Sequence, residues 1–459
     1  VPDDYDRASA SDDQRERVII EWIQANIGGP VVTLERQGRW RPAWYADVEV
    51  RGETVQLYVR GARQVSNGVS VLQRECAIHR LLEAGGITVP HVYGEIPDAD
   101  VYVMEKVAGR HDLRHADSES DRQSVRRQLA HEMAKMHKLD IAPFIAAGLR
   151  CPADALETTM AYFSEAAEYP RPVKLPDPRH AFLVKWVTRN APPAKTSPRF
   201  TACDAGQFMY DGPVLTAMMD FEYAMLGDPL QDLAILRRRT TYEHMGDIPS
   251  LFAMYEEEMG ETLDVEGLHY QTVINATAAV MGGKTVLENY LNDPTDDGDY
   301  VQYMDWTNNS TKQAFEGLGE VTGWSMPAIA LPAPVRTLAH DPLLAAKATV
   351  GGLDQSTTFA DYRRRTLADN VSYMERVAAY GDEFARQYLH DAAEILGHRP
   401  RDVVEADEEL ERYVLAADPR EDERLFTVLS ADTLRRCLLL AIPGSTYYDG
   451  LTKPVQPLS

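Results

Sequence analysis

The chain has 459 residues, 44% hydrophobic and 26% charged, a globular balance with length for about two to four domain-sized units, which excludes a disordered or fibrous chain. A formal net charge of -24 excludes nucleic acid and anionic membrane as expected partners, because phosphate-rich surfaces are bound by Lys and Arg that this chain lacks in bulk. A small-molecule substrate, even an anionic one, stays compatible, since a metal ion and a few Arg can oppose the global field locally. No apolar run approaches the roughly 18 residues of a membrane span, and Val1 to Arg17 is polar rather than signal-like. Cys76, Cys151, Cys203 and Cys437 lie too far apart for a C-x-x-C pair or a disulfide scaffold. The expectation is a cytoplasmic protein with reduced thiols, with homo-oligomerisation left open.

In chain order, Val18 to Ile27 reads as a short helix stopped by Gly28-Gly29-Pro30. Three β-rich runs follow, Val31 to Gln37, Trp44 to Val50 and Thr54 to Arg60, separated by turn residues and expected to form an antiparallel meander. Ser70 to Ala84 has helical spacing, with Val71, Ile78 and Leu82 on one face. Val92 to Gly94 and Val101 to Val107 supply two more strands, completing a small lobe over 18–109. A helix from Asp121 to Leu139 then opens a larger helical lobe over 110–326, with Val125, Leu129, Met133 and Met136 inward and Ser120 and Gln123 spaced as a capping box. Phe208 to Tyr210 and Val214 to Met219 flank the turn Asp211-Gly212 and predict a hairpin. Asp228-Pro229 predicts the start of a helix running through Arg239. Met326 to Pro334 reads as an extended linker, and 335–459 as a helical extension whose apolar faces, among them Leu425, Val428 and Leu429, are expected to cover the large lobe and help wall an acceptor pocket.

The segment Thr201 to Leu236, TACDAGQFMYDGPVLTAMMDFEYAMLGDPLQDLAIL, carries the chemistry. Gln207 precedes the hairpin, Asp220 follows it thirteen residues later, and Gly227-Asp228-Pro229 with Asp232 comes next. This pattern resembles the phosphotransferase family of aminoglycoside kinases and choline kinases, and the likeness extends over roughly residues 20 to 320. It implies an α+β, bilobal protein-kinase-like fold with an antiparallel-sheet N-lobe and a mainly helical C-lobe. It further implies ATP-dependent, magnesium-assisted phosphorylation of a hydroxyl on a small molecule. On the resemblance, Asp220 and Gln207 are the expected magnesium ligands, hard oxygen donors of the kind that ion prefers.

In the small lobe the same resemblance places Arg60 where kinase-like folds keep a phosphate-pairing Lys, with Glu75 as its partner. Glu75 shares the inward face of its helix, four residues after Val71 and three before Ile78, where a carboxylate is costly unless paired. VYVMEKVAG, Val101 to Gly109, resembles the strand leading to the adenine-reading hinge, so Met104 lines the base and Glu105 and Val107 lend backbone groups. MAKMH, Met133 to His137, matches a pattern in which the histidine is structural.

Two departures stand out. The expected phosphate-covering loop, Gly38-Arg39-Trp40-Arg41-Pro42, has one glycine, so either Arg39 and Arg41 act as side-chain donors in place of backbone amides or nucleotide does not bind in the usual way. The position five residues before Gln207, where the family's catalytic Asp belongs, is Ala202, while the nearest carboxylate is Asp204. Asp204 is therefore the candidate for orienting the acceptor hydroxyl, the alternative being a turn-stabilising role in which it bonds backbone amides near Gln207. The rival expectations are a noncatalytic pseudokinase-like binding module and an enzyme that reuses the scaffold for other chemistry.

Overall fold

The computed structural model describes residues 5–39, 41–62, 71–168, 174–292, 300–445 and 448–458; Trp40 and Ser70, both named above, lie outside them. Helix α1 spans Tyr5–Asn26, starting thirteen residues before the expected Val18. Apolar spacing marks only its anchored half, where Ile19 and Ile23 are fully buried against the sheet with Trp44, Val48 and Val59. The polar first half propagates a helix that this packing has already nucleated.

The sheet has the order β1-β2-β3-β5-β4, with β1 Val31–Arg36, β2 Ala43–Val50, β3 Glu53–Gly61, β4 Val92–Ile96 and β5 Val101–Glu105, all antiparallel. Helix α2, Val71–Ala84, lies between β3 and β4 in the chain; its Leu72 and Cys76 join Val92, Tyr102 and Met104 in one buried cluster. Glu75 is thereby carried beneath β3.

The larger lobe begins with α3, Glu119–His137. Its N-cap is Ser118, whose side chain accepts from the Asp121 amide, and not Ser120; both serines offer the oxygen, and the one that adopts extended backbone takes the cap. Val125, Leu129, Met133 and Met136 are buried as their spacing predicts. Helix α4, Pro178–Asn190, is followed by the short β6, Arg199–Thr201, the hairpin of β7, Phe208–Asp211, and β8, Val214–Met218, and then β9, Met225–Gly227, which pairs with β6. Helices α5, Leu230–Arg239, α6, Ile248–Met259, α7, Val265–Asn292, and α8, Tyr300–Thr322, complete this lobe.

After an irregular stretch come α9, His340–Gly351, α10, Thr358–Leu396, α11, Val403–Ala416, and α12, Asp422–Leu440. They cover the large lobe. Phe426 and Leu429 of α12 and Leu410 of α11 share a core with Phe182, Trp186 and Phe315. At 39 residues, α10 is roughly 58 Å long and reaches the small lobe, where Phe359 stacks against the Arg36 guanidinium at 4.6 Å and Thr358 hydrogen-bonds Glu35. Among the described residues no helix is long and apolar enough to cross a membrane.

Candidate active site

The loop from Ala202 to Gln207 is set by groups beneath it. Asp232, one turn into α5 and fully buried, accepts from the Ala202 amide at 2.9 Å and the Cys203 amide at 2.6 Å. His137 Nε2 holds the same carboxylate at 3.0 Å, and its Nδ1 meets the Tyr255 hydroxyl at 2.7 Å. His137 is thus a positioning group, as its motif implied. Cys203 is left-handed (φ 55°), an uncommon state for a residue with a side chain; on either side of this kink Ala202 is buried and Asp204 turns to Arg239 and Gln207.

Asp204 bonds no backbone amide among the described residues. Both of its oxygens accept from Arg239 Nη1, at 2.7 and 2.9 Å, and Oδ2 also accepts from Gln207 Nε2 at 2.6 Å. The turn is closed by main chain instead, with the Gln207 amide on the Asp204 carbonyl at 3.1 Å. Burial lifts the Asp204 carboxyl to about 6, opposed by Arg239 and reinforced by nearby Asp220. Gly206 is required because Arg239 lies across it, where a Cβ would collide with the arginine stem.

Gln207 Nε2 also donates to Asp220 Oδ2 at 2.8 Å, so one amide links the two carboxylates. Asp220 is another left-handed residue (φ 64°); strain of this kind persists where surrounding contacts over-determine it. Its second oxygen accepts from Arg60.

Arg60, on β3, pairs with Glu75 at 3.0 Å and with Asp220, joining the lobes. Arg41 pairs with Glu222 and lies 3.7 Å from Glu75. Burial disfavours the Arg60 charge, but Asp220 and Glu75 hold it charged. Two guanidiniums thus face three carboxylates in a nearly dry cluster. Such a cluster is unstable to loss of any one member, because the remaining charges stay buried.

Met104 is buried beside Tyr102 and Val92. Glu105 is exposed, with its N–H donating to the His91 carbonyl at 2.8 Å, and Val107 is half-buried where the chain leaves the sheet. Beyond them Arg110 and Tyr210 exchange backbone bonds at 2.8 and 2.9 Å, stitching this crossing to the hairpin. Gly38 answers to a different constraint from the expected phosphate approach: a Cβ there would lie 2.6 Å from the Thr358 carbonyl oxygen. Arg39 extends over the sheet to the Tyr58 hydroxyl at 3.1 Å, while Arg41 turns inward. The two arginines of this loop therefore point to different places.

Arg239, Glu222 and Arg74, which donates to Glu165 at 3.0 Å and to the Glu222 carbonyl at 3.1 Å, were not anticipated. Arg239 had a signal. It stands seven residues after Asp232 on the same helix, a spacing that returns to one face.

Beneath Asp220, His79 is packed edge-on against Phe221 at 5.0 Å, and neither ring nitrogen has a hydrogen-bond partner. Burial, and then Arg60, push it down to about 3. Because the unfolded chain takes up the proton near 6.5 and the folded one resists it, this stability is complete above pH 6.5 and declines as pH falls toward 3. Between pH 7 and 5 His79 alone should cost about 2 kcal/mol. Urea titrations of wild type and His79→Leu across that range should show the slope flattened in the variant; parallel curves would refute the assignment.

The family model described as the phosphotransferase enzyme family matches residues 46–263. A search of curated protein sequences returned no match. Among solved structures, a protein assigned as an aminoglycoside phosphotransferase from Ralstonia eutropha jmp134 aligns with 15% identity and a TM-score of 0.50, covering 67% of this chain and 98% of its own. The macrolide 2'-phosphotransferase MphH from Brachybacterium faecium aligns at 14% identity and TM-score 0.45, covering 64% of this chain and 97% of that one. Choline kinase LicA from Streptococcus pneumoniae aligns at 17% and 0.46, covering 67% of this chain and 99% of that one. The five-stranded antiparallel sheet and the helical lobe agree with the match: residues 46–263 of this chain are similar to the phosphotransferase enzyme family, on a bilobal kinase-like fold.

Proposed function

We propose that the protein is an ATP-dependent phosphotransferase that uses magnesium to move a phosphoryl group onto a hydroxyl of a small molecule. The observation that carries this is the single connected cluster in which Arg60 and Glu75 of the small lobe meet Asp220, Gln207 and Asp204 of the large one. Phosphoryl transfer needs little covalent help from protein; it needs charge placed against phosphates and an acceptor held in line.

The residues fit a magnesium site. Among the described residues no group of three or more His, Cys, Asp or Glu is arranged to hold a metal, but magnesium is commonly held by one or two carboxylates with substrate phosphates and water completing the shell. Asp220 would supply the carboxylate and Gln207 its amide oxygen once the amide turns over, which exchanges a donor for an acceptor at the same point. Magnesium would neutralise the phosphate oxygens. Arg60, oriented by Glu75, would pair with phosphate, while Met104 would line the base and Glu105 and Val107 present backbone to it. Gly38, Arg39 and Arg41 would form the covering loop, in which Arg41, turned inward to the Glu75 and Glu222 carboxylates, is better placed than Arg39. Asp204 would orient the acceptor hydroxyl, fixed by Arg239.

Millimolar ATP with magnesium should raise the melting temperature, because a ligand that binds only the folded state stabilises it. No shift would overturn this function. A second reading, a nucleotide-binding module without turnover, is favoured by Ala202 at the usual catalytic position; a shift without product across hydroxyl compounds would select it.

A further inference from the structure

Helix α5 ends in Arg237-Arg238-Arg239. The flanking two have carboxylate partners. Arg237 Nη1 bonds Glu320 at 2.8 Å, and Arg239 bonds Asp204 and Glu243 at 2.7 and 2.8 Å. Arg238, 4% exposed, has no carboxylate partner among the described residues. Its Nε donates to Gln313 Oε1 at 2.7 Å, Nη2 to Ser310 Oγ at 2.8 Å and Nη1 to Asn275 Oδ1. A buried charge held only by neutral groups is costly.

Its surroundings are also incompletely used. A guanidinium has five N–H donors, and three are taken. Since it can only donate, Asn275 must turn its oxygen toward it; the fully buried Nδ2 is left without a partner. Thr307 Oγ1, one turn before Ser310 on α8, likewise has none. Buried orphan donors of this kind mark a missing acceptor. The cluster adjoins the candidate active site: Arg238 immediately precedes Arg239, the clamp on Asp204, and is within electrostatic reach of Tyr242, Tyr162 and Asp204. Tyr162 packs its ring 6.0 Å from that of Tyr223, three residues past Asp220.

We propose that Arg238 and the Asn275 amide nitrogen form an anion-holding subsite, and that the acceptor is a small hydroxy compound bearing a carboxylate or phosphate group. The acceptor's role rests on the phosphotransferase reading; the anion subsite does not. The free donors supply what an anionic oxygen lacks on leaving water, and the anion supplies the counter-charge that Arg238 lacks.

Melting curves without nucleotide test it, using millimolar hydroxyacetate, glycerol phosphate, ethylene glycol and ethanolamine. One or both anions should raise the melting temperature by about 2 °C or more, and which one does so identifies the anionic group; the neutral and cationic probes should not. Arg238→Gln should lose the shift. Asn275→Asp should lose it too while melting higher than wild type without ligand, because the new carboxylate supplies the counter-charge from within. This second variant also decides the matter should Arg238→Gln not fold. Equal shifts from ethylene glycol or ethanolamine, no shift from either anion, or a shift that survives Asn275→Asp would overturn the subsite. An anion shift in a protein that fails to bind ATP with magnesium would keep the subsite and remove the phosphotransferase function.

Discussion

A chain ending at Pro334 should not yield a soluble folded protein. The helices beyond it form part of the large lobe's core: Phe426 packs against Phe315 with ring centroids 5.6 Å apart, and Leu425, Leu429, Leu410 and Val414 are all essentially buried in the same cluster. Each such side chain is worth about 1.5–3 kcal/mol when covered, so five together approach the whole stability of an ordinary domain, roughly 5–15 kcal/mol. Polar contacts add to the loss. Lys185 caps the end of α11 through the carbonyls of Val414, Leu415 and Ala417 at 2.7, 3.1 and 2.7 Å. Asp177, held ionised by Arg179 and Lys284 against its burial, accepts from Lys284 at 3.1 Å, while Asp432 of α12 shares Arg179 at 3.7 Å. Expression of residues 1–334 followed by size-exclusion chromatography and a melting curve settles it: a soluble monomer melting near the full chain would refute this account of the extension.

The parts of the fold that were legible in the sequence are those governed by local rules. Alternation with turn residues gave the three-strand meander and the β7–β8 hairpin, and the 3.6-residue period gave α3 with its four inward residues. The first half of α1 was not legible because its sequence carries no apolar period. At the site, motif spacing brought Asp220, Gln207 and Asp204 into one contact set, and helical phase brought Glu75 beneath Arg60. Arg41 with Glu222 is a contact over 181 positions of chain, which no local rule encodes. Gly38 illustrates a further limit: a lone glycine in a candidate phosphate loop has two physical explanations, and the close approach of Thr358 from a helix more than 300 residues later is invisible to sequence spacing.

Asp220→Asn should lower turnover about a thousandfold or more once an acceptor is identified, since removing the only carboxylate proposed to hold magnesium forfeits several kcal/mol of charge stabilisation at the phosphates. Asp204→Asn is the more informative companion. If Asp204 orients the hydroxyl and takes its proton, the loss should be roughly 100-fold; in a loose transition state the proton leaves late, so positioning by the carboxylate contributes even before it acts as a base. The alternative is that Asp204 serves only to seat Arg239, whose guanidinium also holds Glu243 at 2.8 Å and lies across Gly206. Asn keeps one oxygen for Arg239 and so preserves much of that role. Steady-state rates for both variants, with melting curves to verify folding, separate the two. Asp204→Asn retaining more than about a tenth of wild-type turnover, beside an inactive Asp220→Asn, excludes general-base catalysis by Asp204. Full turnover in both variants would sink the phosphotransferase mechanism itself, because no other carboxylate in the described cluster touches Gln207 and Arg60 together.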